Sequence, residues 1–349
     1  MGRRVLVTGL STFWGGRLAQ ALERDPGVDV IVGLDRLDPT VPLERTEFVR
    51  ADQTYSILSR LVRATRVDTI VHTFLVVDST SVDDRALHES NVIGTMNLLA
   101  AAAAPDSSVD QLVVKSSALV YGSSPRDPTW WSEEMERLTP PRTNLERSLL
   151  EVEGYLRDFA EDNPQRRVAV LRFANVLGGE IVTPVSRALA LPAAPSIFGF
   201  DPLVQFVEEH DGVRSIEFAR RAGLSGIFNV AGDGRLPWSE VAALAGKRRF
   251  ALPALLTSQA RTALARAHVV DLPPELLSLL RFGRGVDNRR LKAAGFQYRF
   301  TTVGAVESFA RSRRRRAVVG ETAVPYRYER DVEDFFRHSA ALSQPQEDP

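Results

Sequence analysis

Short apolar runs alternate with amphipathic stretches through the first half of the chain. The pattern predicts strands at Arg4–Thr8, Asp29–Leu34, Thr69–Phe74, Gln111–Ser116 and Val168–Phe173. Helices are predicted at Gly15–Arg24, Tyr55–Ala64, Arg85–Ala103 and Leu145–Asp162. Strands separated by helices pair in parallel, so the expected class is α/β, a doubly wound parallel sheet with helices on both faces. In the last of these helices Leu145, Leu149, Val152, Leu156 and Phe159 recur at spacings of 4, 3, 4 and 3, one apolar stripe.

The alternation weakens after Gly178. Residues 179–204 are rich in Pro and small residues and read as a crossing segment or lid. A strand–helix–strand pattern returns at Gln205–Val207, Gly212–Ala222 and Gly226–Val230, and from Pro237 the chain turns helical and apolar. The division expected is a sheet domain of residues 1–178 with 205–234, a smaller, mostly helical lobe of 179–204 with 235–310, and a basic segment and tail at 311–349. From about residue 339 that tail is polar and Pro-containing, the composition of a disordered end.

Composition excludes several functions. The 349 residues carry no net charge, so no bulk field favours nucleic acid or an anionic membrane. The absence of Cys removes disulfides, thiolate metal ligands and a Cys nucleophile, and suits a cytoplasmic setting. Arg3-Arg4 leads into a strand-like run, not a signal-peptide core. The longest small-apolar run, Met96 to Ala104, is too short for a membrane span. Lys occurs only at 115, 247 and 292, a bias expected of a GC-rich coding sequence. No His or carboxylate cluster has metal-site spacing.

The first predicted strand runs into Thr8-Gly9-Leu10-Ser11-Thr12-Phe13-Trp14-Gly15 and then a helix start. A strand, a Gly-rich turn and a helix N-terminus form a dinucleotide site: Gly permits the tight turn and close backbone approach, and the helix end attracts phosphate. Asp35 lies 20 residues after Gly15 at the end of the second strand. A carboxylate there accepts the ribose hydroxyls and repels a 2′-phosphate, favouring NAD over NADP, with Arg36 beside it softening the preference.

With Ser116-Ser117-Ala118-Leu119-Val120-Tyr121-Gly122, Ile70-Val71-His72-Thr73-Phe74-Leu75 and the helix run Asn91-Val92-Ile93-Gly94-Thr95-Met96-Asn97, this start resembles the extended short-chain dehydrogenases/reductases with a Rossmann domain. Val170-Leu171-Arg172-Phe173-Ala174-Asn175 and Gln205–Asp211 are similar to segments of the nucleotide-sugar epimerase/dehydratase branch, of the UDP-glucose 4-epimerase type. The resemblance spans roughly residues 3–310. It implies an NAD site made by Gly9, Thr12, Phe13, Trp14, Gly15, Asp35, Arg36 and Asp52, with Phe74 passing beside the cofactor. It implies a substrate site at Ser117 and Asn175, a nucleotide sugar as ligand, and a homodimer through the helices at 85–103 and 145–162. His72 and Asn91 read as structural.

Two departures matter. Thr12 stands where the family places the middle Gly of its turn, putting a Cβ where clearance is needed. More important, the family's acid/base Tyr and the Lys four residues later correspond to Leu145 and Leu149. No Tyr in the chain is followed four residues later by Lys. In the family the Tyr takes the substrate proton as hydride moves, and the Lys lowers its pKa; Leu does neither. Ser117, Tyr121 and the Glu133/Glu134 loop are the groups left to act. At the diphosphate-binding Arg position stands Val204, with Arg281 or Arg284 as a looser second match.

Two readings follow: an NAD-binding nucleotide-sugar epimerase/dehydratase-like protein with a degenerate dyad, or a non-catalytic cofactor sensor or scaffold retaining the fold. The basic run Arg311–Arg316 reads as a solvated helix end rather than a nucleic-acid or acidic-lipid surface. Trp130-Trp131 covers either the substrate cleft or a core edge.

Overall fold

The computed structural model describes residues 2–254, 272–319 and 332–342. Seven parallel strands form the central sheet: β1 (Arg3–Thr8), β2 (Val28–Asp35), β3 (Thr46–Arg50), β4 (Thr69–His72), β5 (Gln111–Ser117), β6 (Arg167–Phe173) and β7 (Gly226–Val230). Their order is β7-β6-β5-β4-β1-β2-β3, so the direction of winding reverses between β1 and β4. A crevice opens at that reversal, outside the carboxyl ends of the strands, where open α/β sheets bind ligands. The doubly wound sheet expected from the alternation is present. Edge strand β3, a five-residue T-E-F-V-R run, had no assignment from the pattern.

Helices α1 (Phe13–Glu23) and α7 (Glu209–Arg221) cover one face of the sheet. The other face carries α2 (Tyr55–Thr65), the segment α3 (Asp84–His88) and α4 (Gly94–Ala103), and α5 (Asn144–Asp162). The single helix expected over 85–103 is interrupted by a π turn at Glu89–Ile93. That turn points Asn91 at the loop after β4: its Oδ1 accepts the Val76 N–H at 2.8 Å and its Nδ2 donates to the Val76 carbonyl at 2.9 Å and to Ser148 Oγ at 3.2 Å. Helix α7 begins earlier than its pattern suggested because Glu208 caps it, accepting the N–H groups of His210 and Asp211.

A third apolar core joins residues 177–206 to 236–309. It holds α6 (Pro184–Ala190), α8 (Trp238–Leu244), α9 (Pro274–Phe282) and α11 (Thr302–Val319), α10 (Arg289–Ala293) lying between the last two in sequence. This layer closes over the crevice from the carboxyl side. Arg311, Arg313, Arg314 and Arg315 are exposed on α11. Residues 320–331 of the basic segment and 343–349 of the tail lie outside the described residues. Among the described residues no helix is long and apolar enough to cross a membrane.

Candidate active site

The turn after β1 is built around two glycines. Gly9 has φ +81°, and a Cβ there would press on the Phe74 backbone at 2.9 Å. A Cβ on Gly15 would run into the Gly9 carbonyl oxygen. Thr12 caps α1: its hydroxyl donates to the Gly9 carbonyl at 2.6 Å and accepts from the Gly15 N–H at 3.2 Å. The side chain is therefore turned back into the loop, which accounts for a Thr at the family's middle Gly. The first N–H groups of a helix have no acceptor within it, so Phe13 and Trp14 present theirs toward the crevice.

Asp35 ends β2 and is buried. One carboxylate oxygen accepts the Ser11 N–H at 2.9 Å and its hydroxyl at 2.7 Å; the other accepts the Arg36 N–H at 2.7 Å. Asp35 therefore ties the phosphate loop to β2 while lining a cavity of about 320 Å³ with Arg36, Asp52, Phe74, Glu89 and Asn97. Arg36 pairs with Asp52 at 3.5 Å. Gln53 lines the same cavity, and both its amide N and O are buried without a hydrogen-bond partner. A buried amide costs free energy unless something pairs with it. The sequence reading stopped one residue short, at Asp52; a Gln there has no local pattern to mark it.

A second cavity, about 330 Å³, begins at Thr12, Phe13 and Trp14 and continues past Ser117 and Leu145 to Asn175 and the small lobe. Ser117 ends β5, its hydroxyl accepting the Leu119 N–H at 3.2 Å. Asn175 donates to the Gln205 carbonyl at 3.3 Å. Lys115, two residues before Ser117, lines this cavity and is fully enclosed; burial brings its pKa down to about 7. Arg284 enters from the small lobe, buried and, among the described residues, without a carboxylate ion pair; burial lowers its pKa to about 10. It forms a strand bridge with Val204, so the cation stands beside the position where the sequence shows Val. Arg281 turns elsewhere, donating to the Ala254 carbonyl and lying over Phe200.

Such a two-part cleft on a doubly wound sheet has relatives. The model of the NAD dependent epimerase/dehydratase family matches residues 5–231. This chain belongs to that family. The uncharacterized protein Rv0501 of Mycobacterium tuberculosis (strain H37Rv) is 36% identical over 317 residues, 88% of this chain and 84% of its own. A rice protein named UDP-glucose 4-epimerase 3 is 27% identical over 195 residues, about half of each chain. Among solved structures, a UDP-glucuronic acid 4-epimerase from Bacillus cereus in complex with NAD superposes with a TM-score of 0.68 at 17% identity, covering 89% of this chain and 99% of that one. MoeE5 in complex with UDP-glucose and NAD gives 0.68 at 20% identity, over 90% and 99%. The fold is theirs.

Leu145 and Leu149 are both buried in the core between α5 and the sheet, with Val152, Leu156 and Phe159. Leu145 also reaches the cavity wall; Leu149 does not. Two of the remaining acid/base candidates are not brought to this cavity. Tyr121 is buried, stacked on Trp131 at 5.0 Å, donates to Asn229 Oδ1 and accepts from Arg172, each at 2.8 Å. Glu134 is exposed and pairs with Arg290 at 3.2 Å. Its neighbour Glu133 accepts the Asn229 N–H at 2.8 Å. These residues line a separate cleft along α5. Trp131 is thus a core side chain, and Trp130 lies half-exposed under Arg235. His72 is buried between Thr8 and Thr95 and held to a pKa of about 3 by burial and by Lys115.

One cluster departs from the sequence expectation. Glu208, Glu209 and His210 bring ligand atoms within 4.8 Å of one another. Both carboxylates serve backbone groups: Glu208 caps α7 and Glu209 accepts the N–H groups of Gly179, Glu180 and Ile181.

Proposed function

We propose that this protein binds NAD in the crevice and a nucleotide sugar in the adjoining cavity, and that it does not run the family's reaction through α5. The observation that carries the reading is the fit of the cleft to a dinucleotide. The Gly9–Gly15 turn has no room for a Cβ at either end, and the orphaned Gln53 amide waits in the cavity beyond Asp35, offering one donor and one acceptor. Adenine presents the complementary pair. Asp35 supports NAD over NADP, because a 2′-phosphate would be set against a buried carboxylate. Bound there, the dinucleotide supplies hydride-accepting and hydride-donating chemistry at its nicotinamide end.

Arg284 supports an anionic second ligand: a buried guanidinium on the cavity favours a diphosphate, and Asn175 adds an amide. Family membership supports a sugar joined to it. The helices α3/α4 and α5 also support a homodimer, since Ile93 and Met96 are exposed on the first of them. The alternative, a cofactor-sensing or scaffold protein, is favoured by Leu145 and Leu149 alone.

Turnover separates the two. The protein is incubated with NAD⁺ and UDP-glucose; proton NMR follows the sugar and absorbance the reduced dinucleotide. The expected result is saturable binding of UDP-glucose with conversion about 10²–10⁴-fold below a member with the full dyad. Binding without any conversion would favour the sensor, and no UDP-glucose binding would overturn the nucleotide-sugar reading.

A further inference from the structure

The cavity contains a titratable group that no expected mechanism uses. Lys115 lies on β5 at an odd register with Ser117; the intervening Ser116 points to the other face and donates to Glu153 at 2.6 Å. Lys115 and Ser117 therefore share the cavity face. The Lys115 stem passes Trp14 of the phosphate loop, with Nζ 5.5 Å from the ring centroid. An ammonium has three N–H donors, and among the described residues Nζ makes one long hydrogen bond, 3.4 Å to the Leu75 carbonyl.

Among the described residues no carboxylate pairs with it. From β4 it faces His72, neutral between two threonines. From the loop after β4 comes Asp78, which pairs with Arg187 at 2.7 Å. From α9 comes Glu275, one oxygen of which accepts from Ser79 at 2.8 Å while the other is buried without a hydrogen-bond partner, and from the following segment Arg284. Behind the strand Glu153 is taken by Arg172. From α1 come Phe13 and Trp14, neither of them charged. With no partner to hold the charged form, burial alone brings the amine to a pKa of about 7, near the value a proton-transfer group needs at neutral pH.

We propose that Lys115 is the proton-exchanging residue of this cavity, doing from the strand what the missing pair would do from the helix. The inference rests on the dinucleotide reading above. In the forward direction the neutral amine of Lys115 accepts the proton of a substrate hydroxyl held by Ser117. The O–H electron pair closes the carbonyl, and the C–H bond breaks with its electron pair leaving as hydride to the nicotinamide dinucleotide, the oxidant. The reverse step returns the proton from the Lys115 ammonium to the oxygen.

The chain has three lysines, at 115, 247 and 292, so lysine side-chain NMR can follow each of them. The protein, ¹⁵N/¹³C-labelled at lysine, is titrated between about pH 5.5 and 10.5, with Lys115→Arg assigning the signal and Lys115→Met as a second variant. The expected result is one signal, absent from both variants, with a midpoint at least about two pH units below the ordinary lysine value of about 10.4. NAD⁺, whose nicotinamide ring is cationic, should move that midpoint further down, whereas NADH should not. Calorimetry near pH 7 should then show proton release on NAD⁺ binding, lost in both variants. A Lys115 signal that titrates with the other lysines, or one left unmoved while calorimetry records NAD⁺ binding, overturns the inference and leaves the dinucleotide reading standing. Absence of any NAD⁺ binding overturns that reading, and the inference with it.

Discussion

The two walls of the cleft treat their buried positions differently. On the phosphate-loop wall, polar groups and glycines are committed to shape: Thr12 caps α1, Asp35 ties Ser11, and the glycines leave backbone where side chains would collide. On the α5 wall, Leu145 and Leu149 are apolar and packed, both less than 2% exposed. The difference teaches that the pieces of one active site need not share a fate. A loop specified by backbone geometry fails as a unit when a single Cβ intrudes. A helix face needs only a smooth apolar surface, and Leu145 and Leu149 extend a stripe already set by Val152 and Leu156.

The largest expected effect strikes the packed wall. Leu149→Ala should cost about 2–5 kcal/mol, as large-to-small core changes do. Leu149→Lys should destabilise at least as much by burying an unpaired ammonium. Urea denaturation reads both; a Leu149→Lys protein as stable as the parent would break the contrast.

Lys115→Met comes next and runs the other way. The native pKa is about 7 and the unfolded value about 10.5, so the unfolded chain holds a proton that the native chain lacks between those limits. Stability contributed at this site rises as pH climbs from about 7 to 10.5, and the native state bears the full burial cost below about 7. Lys115→Met should therefore gain about 1–3 kcal/mol at pH 6 and progressively less toward pH 10, seen as denaturation midpoints across that range. A variant that loses stability at every pH would make Lys115 a structural residue.

Gly15→Ala should weaken dinucleotide binding about 10- to 100-fold, equivalent to the 1–3 kcal/mol of an overpacked site. Thr12→Gly sharpens the comparison: it should cost only a few tenths of a kcal/mol as a cap, and tighten dinucleotide binding if the Thr12 Cβ crowds the pyrophosphate. The smallest effect is Gln53→Ala, which should weaken NAD⁺ binding about two- to tenfold, the value of a neutral hydrogen bond or so, with stability unchanged or slightly raised.

Much of this was legible in the sequence, unevenly. The parallel sheet and the phosphate loop follow from alternation and from glycine spacing, since both are local and periodic; the strand order and edge strand β3 do not. The absence of any Tyr-x-x-x-Lys was equally plain, because it needs no structure. The π turn was not, because nothing in Glu89–Ile93 distinguishes a widened turn from an α-helix. Lys115 was read only as one of three rare lysines: its value comes from lying on the same strand face as Ser117 under Trp14, a tertiary fact. Tyr121 and Glu134 were candidates by proximity in sequence to Ser117. Packing instead turned Tyr121 toward Asn229 and Glu134 toward Arg290. Arg284 and Arg281, three residues apart, were indistinguishable until the bridge to Val204 placed the first in the cavity and left the second outside it.

The central claim is that the phosphate-loop wall remains a dinucleotide site although the helix wall has become core. Calorimetric titration of NAD⁺ into the parent protein and into Gly15→Ala tests it most directly. The account predicts saturable one-to-one binding to the parent, at least about tenfold weaker in the variant. A parent protein that takes up no NAD⁺, or a Gly15→Ala protein that binds it equally well, would contradict it.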